Sequence, residues 1–301
     1  MAQNTTLVTK INKMKKEQNI LILSHVYQQP EIQDIADHIG DSLALSKIAQ
    51  DNDAETIVFC GVKFMAETAH ILSPEKTVLL PKMNAGCDLA DMATIQQLDT
   101  VKQKYPYAKV VCYINSSAEI KAESDICCTS ANAVNIVTSL EEETILFIPD
   151  KNLGSYVAEH TDQTIIPWDG YCYVHEHIQP DIINTLKKTH PSAEIIVHPE
   201  CSKPIRDLAD CIGGTAKMYK YVQQSSCTSF IVGTEDNFIH HLKKGNPEKT
   251  FYPVNTECKG MRTITLPDIL ETIEKRKNII TLPKKIRTKA YKTIDAMMKL
   301  S

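Results

Sequence analysis

The sequence predicts an α/β fold of three pseudo-threefold-related α/β/α sandwich repeats, whose parallel sheets surround a central cavity. Apolar, strand-like runs alternate with helical segments along the chain, which is typical of parallel sheets covered on both faces. The segments "LLPKMNAGC", "IIPWDGYC" and "FYPVNTEC" each run from apolar residues through a proline to a cysteine. These cysteines, Cys87, Cys172 and Cys258, are 85 and 86 residues apart. A constant spacing of this size indicates internal repeats.

Each repeat opens with an apolar run that enters a loop at a ring-bearing side chain. The runs "NILILSHVY", "AKVVCYIN" and "AEIIVHPE" reach His25, Tyr113 and His198. In all three repeats a hydroxyl residue follows 17 positions later, where a helix is predicted to begin with that residue as its N-cap. These hydroxyl residues are Ser42, Ser130 and Thr215.

A third apolar run, a helix and a final strand that delivers the cysteine complete each repeat. The apolar runs are "TIVFCG", "TILFIP" and "SFIVG". We therefore predict α/β repeats over residues 1–100, 101–187 and 188–275. The segment "TLVTKINKMKKEQ" is predicted to be an opening helix. Residues 276–301 are predicted to form a closing helix that packs back on the first repeat.

Composition and charge exclude several classes of partner. The chain has 301 residues, is 43% hydrophobic and 23% charged, and carries a net charge of −4 with scattered lysines. This argues against a nucleic-acid or membrane surface and favours small-molecule partners. There is neither an apolar signal-like segment at the N-terminus nor a run of about 18 apolar residues, so the sequence predicts a cytoplasmic protein.

Ten cysteines in a cytoplasmic chain favour buried thiols, metal ligation or catalysis over disulfides. Cys60 and Cys112 lie in apolar runs and are predicted to be buried thiols in the core. The adjacent Cys127 and Cys128 cannot easily chelate one metal, and Cys211 and Cys227 lie in predicted helical or pre-strand segments. The cysteines that recur at one position of each repeat, Cys87, Cys172 and Cys258, are the candidate metal ligands.

Ligands of α/β sheets bind at the carboxyl ends of the strands, so three facing repeats would bring these cysteines to one centre. Three thiolates could hold zinc, but structural zinc sites are usually completed by a fourth protein ligand and use close Cys-x-x-Cys pairs. A [4Fe–4S] cluster normally takes four thiolates. Three would leave one iron open to act as a Lewis acid on a substrate. The spacing favours the cluster and leaves zinc as the alternative.

The strand ends also carry groups for proton transfer and anion binding. Residues two apart on a strand share a face, which pairs His198 with Glu200 as an acid/base couple. The same spacing pairs His25 with Tyr27, and Tyr113 with Asn115. The three hydroxyls at predicted helix N-termini suit a substrate with carboxylates or a phosphate.

These motifs resemble one family, the quinolinate synthases, over essentially the whole chain. The resemblance is carried by "SHVYQ" with "GDS", "CYINS" with "CTSANA", "HPEC" with "GGT", and one cysteine closing each repeat. It implies condensation of iminoaspartate with dihydroxyacetone phosphate to quinolinate in NAD biosynthesis, with release of phosphate and two waters. It also implies that an aspartate oxidase or dehydrogenase supplies the iminoaspartate. The additional C-terminal Cys-x-x-Cys-x-x-Cys of some members is missing, so no redox regulation by that motif is expected.

The resemblance also assigns site residues. Cys87, Cys172 and Cys258 would ligate the [4Fe–4S] cluster. The implied catalytic residues are His25, Tyr27, His198 and Glu200. The implied substrate-binding residues are His25, Ser42, Tyr113, Ile114, Asn115, Ser130, His198, Pro199, Glu200 and Thr215. The alternatives are a diphthamide-forming radical enzyme, against which "HPEC" and "CYINS" argue, and a non-enzymatic iron–sulfur sensor or electron carrier, which would favour a fourth cysteine.

Overall fold

A computed structural model describes residues 2–300 and contains three parallel sheets of four strands each. Two compact units are formed, one from residues 2–87 with 258–287 and the other from residues 88–257 with 288–300. The first unit holds the first sheet, and the second unit holds the other two. The predicted fold class, an α/β protein of three repeated units, is confirmed.

The first sheet has the strand order β2-β1-β3-β4. Its strands are β1 (Ile20–His25), β2 (His38–Gly40), β3 (Thr56–Cys60) and β4 (Thr77–Leu79). The helices of the same unit are α1 (Ala2–Glu17), α2 (Pro30–Ile35), α3 (Ser42–Asp51), α4 (Lys63–Leu72) and, near its end, α14 (Leu266–Lys275). The opening helix α1 is paired with α14 through Lys10 and Glu274.

The second sheet repeats this order as β6-β5-β7-β8. Its strands are β5 (Lys109–Tyr113), β6 (Ile126–Cys128), β7 (Thr144–Ile148) and β8 (Thr164–Pro167). Its helices are α5 (Ile95–Lys104), α6 (Ala118–Ala122), α7 (Ala133–Thr138), α8 (Lys151–Ala158), α9 (Tyr173–Glu176) and α10 (Pro180–Thr189).

The third sheet has the order β10-β9-β11-β12. Its strands are β9 (Glu194–Val197), β10 (Cys211–Ile212), β11 (Ser229–Gly233) and β12 (Thr250–Pro253). Its helices are α11 (Lys203–Arg206), α12 (Thr215–Gln224) and α13 (Phe238–Gly245), and the last helix of the chain is α15 (Lys284–Lys299).

A partly buried hydrogen bond to an aspartate recurs in every repeat and was not predicted from the sequence. In each, a carboxylate oxygen accepts the backbone N–H of a residue 15 positions earlier on the sheet's inner strand, at 2.8 Å. The pairs are Asp37 with Ile22, Asp125 with Val110, and Asp210 with Ile195. Each bond ties the loop before the short edge strand to the strand that ends at the candidate site. The three repeats therefore share this hydrogen bond as well as their strand order.

The core explains why the apolar runs become strands. Side chains such as Ile57, Val111 and Ile196 are fully buried, as expected for parallel strands covered on both faces. The prediction that Cys60 and Cys112 are buried thiols is confirmed, since both are inaccessible to solvent. None of the helices in the described chain combines the length and apolar character needed to span a membrane.

The closing helix α15 makes polar contacts with the second repeat. Within this helix, Thr293 donates a hydrogen bond to the Lys121 carbonyl of the second repeat, and Lys289 pairs with Glu123. The segment before the helix joins the first sheet, where Leu79 bridges Ile279. The side chains of Lys289 and Thr293 find their partners around α6, and packing of the helix on the first repeat stays a prediction.

Candidate functional site

The ring-bearing residues lie at the carboxyl ends of the inner strands. His25 is the last residue of β1, Tyr113 is the last residue of β5, and His198 directly follows β9. All three are buried, with exposed fractions of 4–6%. Buried polar side chains at this edge of a parallel sheet mark the usual position of a ligand site.

Turns, rather than strand alternation, bring the paired residues together. The backbone N–H of Tyr27 donates to Nδ1 of His25 at 3.1 Å, and that of Glu200 donates to Nδ1 of His198 at 3.3 Å. The rings of His25 and Tyr27 meet edge to face at 4.6 Å. Since Nδ1 accepts in both histidines, the neutral rings carry their proton on Nε2. The chain leaves the strand earlier than predicted, yet the pairs remain adjacent.

Glu200 lies between two histidines. Its Oε2 atom is 2.7 Å from Nδ1 of His175 and 3.5 Å from Nδ1 of His198. The two imidazole rings are stacked, with centroids 4.5 Å apart and planes 20° from parallel. On the other side of its ring, His175 Nε2 lies 2.9 Å from the hydroxyl oxygen of Thr234. His175 belongs to the second repeat and Glu200 to the third, so these repeats meet at this carboxylate.

The pKa values of two carboxyl groups in this site are shifted in opposite directions. Burial by itself would raise the pKa of Glu200, but the charges of His198 and His175 lower it to about 2. Burial, followed by the charge of Glu200, raises the pKa of Asp150 well above its usual value. Two carboxyl groups whose pKa values are shifted apart are typical of sites that transfer protons.

Sequence reasoning missed His175, Asp150 and Thr234. His175 follows Cys172 with two residues between them, and this Cys-x-x-His spacing on one helical turn is a metal-ligand pattern that could have revealed it. Asp150 accepts the backbone N–H of Cys172 at 3.1 Å and that of Leu153 at 2.7 Å. It therefore positions the cysteine loop, a role that only the fold reveals.

The three hydroxyls do not cap the helices as predicted. Asp41 caps α3 by accepting from Ala44 N, so Ser42 is the first helical residue. Gly214 occupies the N-cap position of α12, which makes Thr215 its first residue. Ser130 lies in the turn before α7, whose N-cap is Asn132. Since neighbouring residues occupy the cap positions, helix capping does not account for the three hydroxyls.

Ser130 and the start of α12 are close neighbours within the second unit. A Cβ atom added at Gly214 would lie 2.8 Å from Ser130 Oγ. This approach brings the hydroxyl of the second repeat to the helix N-terminus of the third. Asn115 and Ser130 are half-buried, while Ile114, Pro199 and Thr215 are buried.

Each candidate cluster cysteine follows the last strand of its sheet. Cys87 lies beyond β4, Cys172 beyond β8 and Cys258 beyond β12, and all three are half-buried. No disulfide is present among the ten cysteines, all of which lie in the described part of the chain. Half-buried thiols at a sheet edge are accessible to a metal, unlike the fully buried Cys60.

Within the first unit the loops of Cys87 and Cys258 touch. A Cβ atom at Gly260 would overlap the carbonyl oxygen of Gly86, so the two backbones approach as only glycine allows. The side-chain amide of Gln29 donates to the carbonyls of Arg262 and Ile264 at 3.1 and 3.0 Å, which ties the Cys258 loop to the end of β1.

The change Gly260→Ala tests this close approach. We expect the added methyl group to force the two loops apart and to lower the content of the predicted [4Fe–4S] cluster, while the distant sheets remain folded. Iron per chain and far-ultraviolet circular dichroism measure both effects. Gly86→Ala is the matched control, because the nearest atom to its added Cβ is 3.9 Å away. Equal iron content in the two variants would show that the loop approach is unimportant for the cluster.

Comparison with known proteins identifies the family of this chain. The family model described as quinolinate synthetase A protein matches residues 9–299. The chain is 53% identical to quinolinate synthase of Clostridium perfringens strain SM101 over 294 residues, which cover 97% of this chain and 98% of that relative. It is 47% identical to quinolinate synthase 1 of Methanosarcina acetivorans over 298 residues, 98% of each chain.

A third relative, quinolinate synthase of Dehalococcoides mccartyi strain 195, is 49% identical over 294 residues, which cover 97% of each chain. The α/β fold and the similarity to these relatives define the chain as an α/β enzyme. The chain belongs to the quinolinate synthetase A family.

Proposed function

We propose that this chain is a quinolinate synthase that condenses iminoaspartate with dihydroxyacetone phosphate. Quinolinate, phosphate and two waters would be the products, and the reaction would serve de novo NAD biosynthesis. The observation that carries the proposal is 53% identity to a quinolinate synthase over 97% of the chain. The buried set of His175, His198 and Glu200 supports it, because such a condensation needs several proton transfers.

The residues present fit a [4Fe–4S] cluster held by Cys87, Cys172 and Cys258. Each is a half-buried thiol that follows an equivalent strand, and thiolates are the usual ligands of such clusters. When bound through three cysteines, the cluster would supply an open iron as a Lewis acid for a substrate oxygen.

His198 is the proposed proton carrier on the Glu200 side of the site. Its Nδ1 accepts the backbone N–H of Glu200, so proton exchange would occur at Nε2. The Glu200 carboxylate, ionised at neutral pH, would stabilise the protonated ring during transfer. His25 has the same Nδ1 arrangement with Tyr27, and these two residues are proposed to act on protons in the first repeat.

The helix starts are proposed to bind the anionic groups of the substrates. The N-termini of α3 and α12 begin at Ser42 and Thr215, each on a helix of ten residues. Amide N–H groups and the helix dipole at such ends favour carboxylate or phosphate. Ser130 would add a hydroxyl donor beside α12. Tyr113, Ile114, Asn115 and Pro199 are proposed to complete the substrate-binding walls.

Removing single hydroxyls tests this anion site. Ser130→Ala and Thr215→Ala should each raise KM with a small change in kcat, because one hydrogen bond to bound substrate is lost at a cost of about 1 kcal/mol or more. Steady-state kinetics with each substrate varied in turn provides the measurement. Thr138→Ala, a change at an exposed threonine at the end of α7, is the control. Unchanged KM in both site variants would remove these hydroxyls from substrate binding.

The proposed activity is tested with anaerobically purified, cluster-loaded protein. Iminoaspartate, generated in the assay by an aspartate oxidase or dehydrogenase, is mixed with dihydroxyacetone phosphate, and quinolinate and phosphate are quantified. We expect both products in equal amounts. Release of phosphate without quinolinate, or of neither, would contradict the proposal. A sensor or electron carrier would instead show a reducible cluster and no turnover.

A further inference from the structure

Cys172, His175 and Glu200 bring three different metal-binding groups together within the second unit. One donor atom from each lies within 4.8 Å of the other two. His175 and Glu200 are each 2% exposed, and Cys172 is half-buried. The cysteine and histidine are held at fixed spacing because Cys172 is the N-cap residue of α9, which contains His175.

Two buried polar atoms of this group are available as ligands for a cation. Among residues 2–300, neither Nδ1 of His175 nor Oε1 of Glu200 has a hydrogen-bond partner. Although Nδ1 lies 2.7 Å from Oε2 of Glu200, that contact lacks hydrogen-bond direction. Buried nitrogen and oxygen atoms are normally satisfied, and a metal ion is one way to satisfy them.

We propose that Cys172, His175 and Glu200 bind a single zinc-like divalent ion in the chain that lacks a cluster. A thiolate, a carboxylate and a dication sum to zero charge, so the occupied site would carry no net charge into a buried environment. The thiol proton passes to solvent on binding, and no electron is transferred. The fourth position of a tetrahedral ion would hold water.

The surroundings and the donor types favour zinc over magnesium or calcium. Thiolate and imidazole suit zinc, whereas magnesium and calcium prefer oxygen ligands. Thr234 lies 2.9 Å from Nε2 of His175, so this nitrogen can donate to the hydroxyl while Nδ1 faces the metal. Such a partner of a ligating histidine fixes the tautomer and orients the ring.

The site shares only Cys172 with the proposed three-cysteine cluster set. One thiolate cannot complete both, so a bound zinc ion would oppose cluster assembly. This consequence rests on the proposed function, whereas zinc binding itself does not. Zinc content and cluster content should therefore vary inversely in the purified chain.

Cobalt(II) provides the direct test, because thiolate ligation gives a near-ultraviolet charge-transfer band whose intensity grows with the number of thiolates. Full-length, cluster-free chain with its purification tag removed is titrated anaerobically. We expect one ion per chain with the intensity of one thiolate, displaced by zinc. Cys172→Ser, His175→Ala and Glu200→Gln should each lose high-affinity binding. Thr234→Val should weaken it about 10–100-fold.

Cys87→Ser and Cys258→Ser are the matched controls and should retain the band. Loss of the band in these variants, or an intensity typical of three thiolates, would place the ion in the three-cysteine set. Either result would overturn the proposal. Absence of stoichiometric binding would overturn it as well. X-ray absorption of the zinc-loaded, unsubstituted chain avoids folding defects and should show one sulfur near 2.3 Å with nitrogen and oxygen near 2.0–2.2 Å.

Competition between zinc and the [4Fe–4S] cluster for Cys172 is tested separately. Preloading with one equivalent of zinc should slow iron–sulfur reconstitution in the original chain, and should not do so in His175→Ala. Equal slowing in both would contradict the competition. Since the binding assay uses neither substrate nor cluster, its failure leaves the quinolinate assay unaffected, and the two proposals can fail independently.

Discussion

Alanine at Cys87, Cys172 or Cys258 should abolish both the [4Fe–4S] cluster and quinolinate formation. Each change removes one of only three proposed thiolate ligands, and no neighbouring thiol in the same loop can replace it. Iron and sulfide per chain, the visible absorption of the reconstituted protein and quinolinate yield measure the effect. We expect a loss of activity to background, the largest effect of any substitution considered.

Cys227→Ala is the matched control because this thiol is also half-buried, yet it lies before a strand instead of after one. Its cluster content should equal that of the original chain. Normal cluster content in any of the three ligand variants, or a ligand-like loss in Cys227→Ala, would contradict the assignment of ligands by their position in the repeat.

The repeat pattern predicted the sheets well, because strand identity depends on apolar runs that any core must bury. The runs ending at His25 and Tyr113 became β1 and β5, and the cysteines follow the last strand of each sheet. Internal repetition strengthened these predictions, because an equivalent apolar run occurs in each of the three repeats. Local pattern and tertiary packing agree in these segments.

Features that depend on a single local turn were less predictable. Ser42 and Thr215 open their helices, but the cap positions belong to Asp41 and Gly214. The hydroxyl and its neighbour are equally plausible caps in the sequence, and only the backbone distinguishes them. The observed N-caps therefore differ from the predicted ones by one or two residues.

Contacts between repeats could not be predicted at all. His175 reaches Glu200 across 25 residues, and its role depends on how the second and third sheets pack. The same limit applied to α15, whose Thr293 found a partner in the second repeat. A sequence pattern predicts at which edge of a sheet a residue lies. The packing of the sheets determines which residues of another repeat it contacts.

The second large effect is expected for Glu200→Gln, which keeps the shape of the side chain and removes its charge. Glu200 is 2% exposed and its Oε2 atom lies 3.5 Å from Nδ1 of His198, so the charge of its carboxylate is proposed to stabilise His198 when that ring carries a transferred proton. Without that charge the protonated histidine is less stable, and proton transfer should slow. We expect kcat to fall about 10²-fold or more, the usual contribution of a positioned acid or base.

Measurements of iron per chain, melting temperature and single-turnover rate separate this role from a structural one. Glu194→Gln is the matched control, because Glu194 starts β9, whose far end leads to Glu200, and it accepts a hydrogen bond from Ser225 at 2.8 Å. The control should retain turnover per cluster. If Glu200 only anchors the loop beside Cys201, its amide variant should lose stability or cluster content and keep its rate per cluster. A proton-transfer role requires the reverse, with a folded, cluster-loaded protein that turns over slowly.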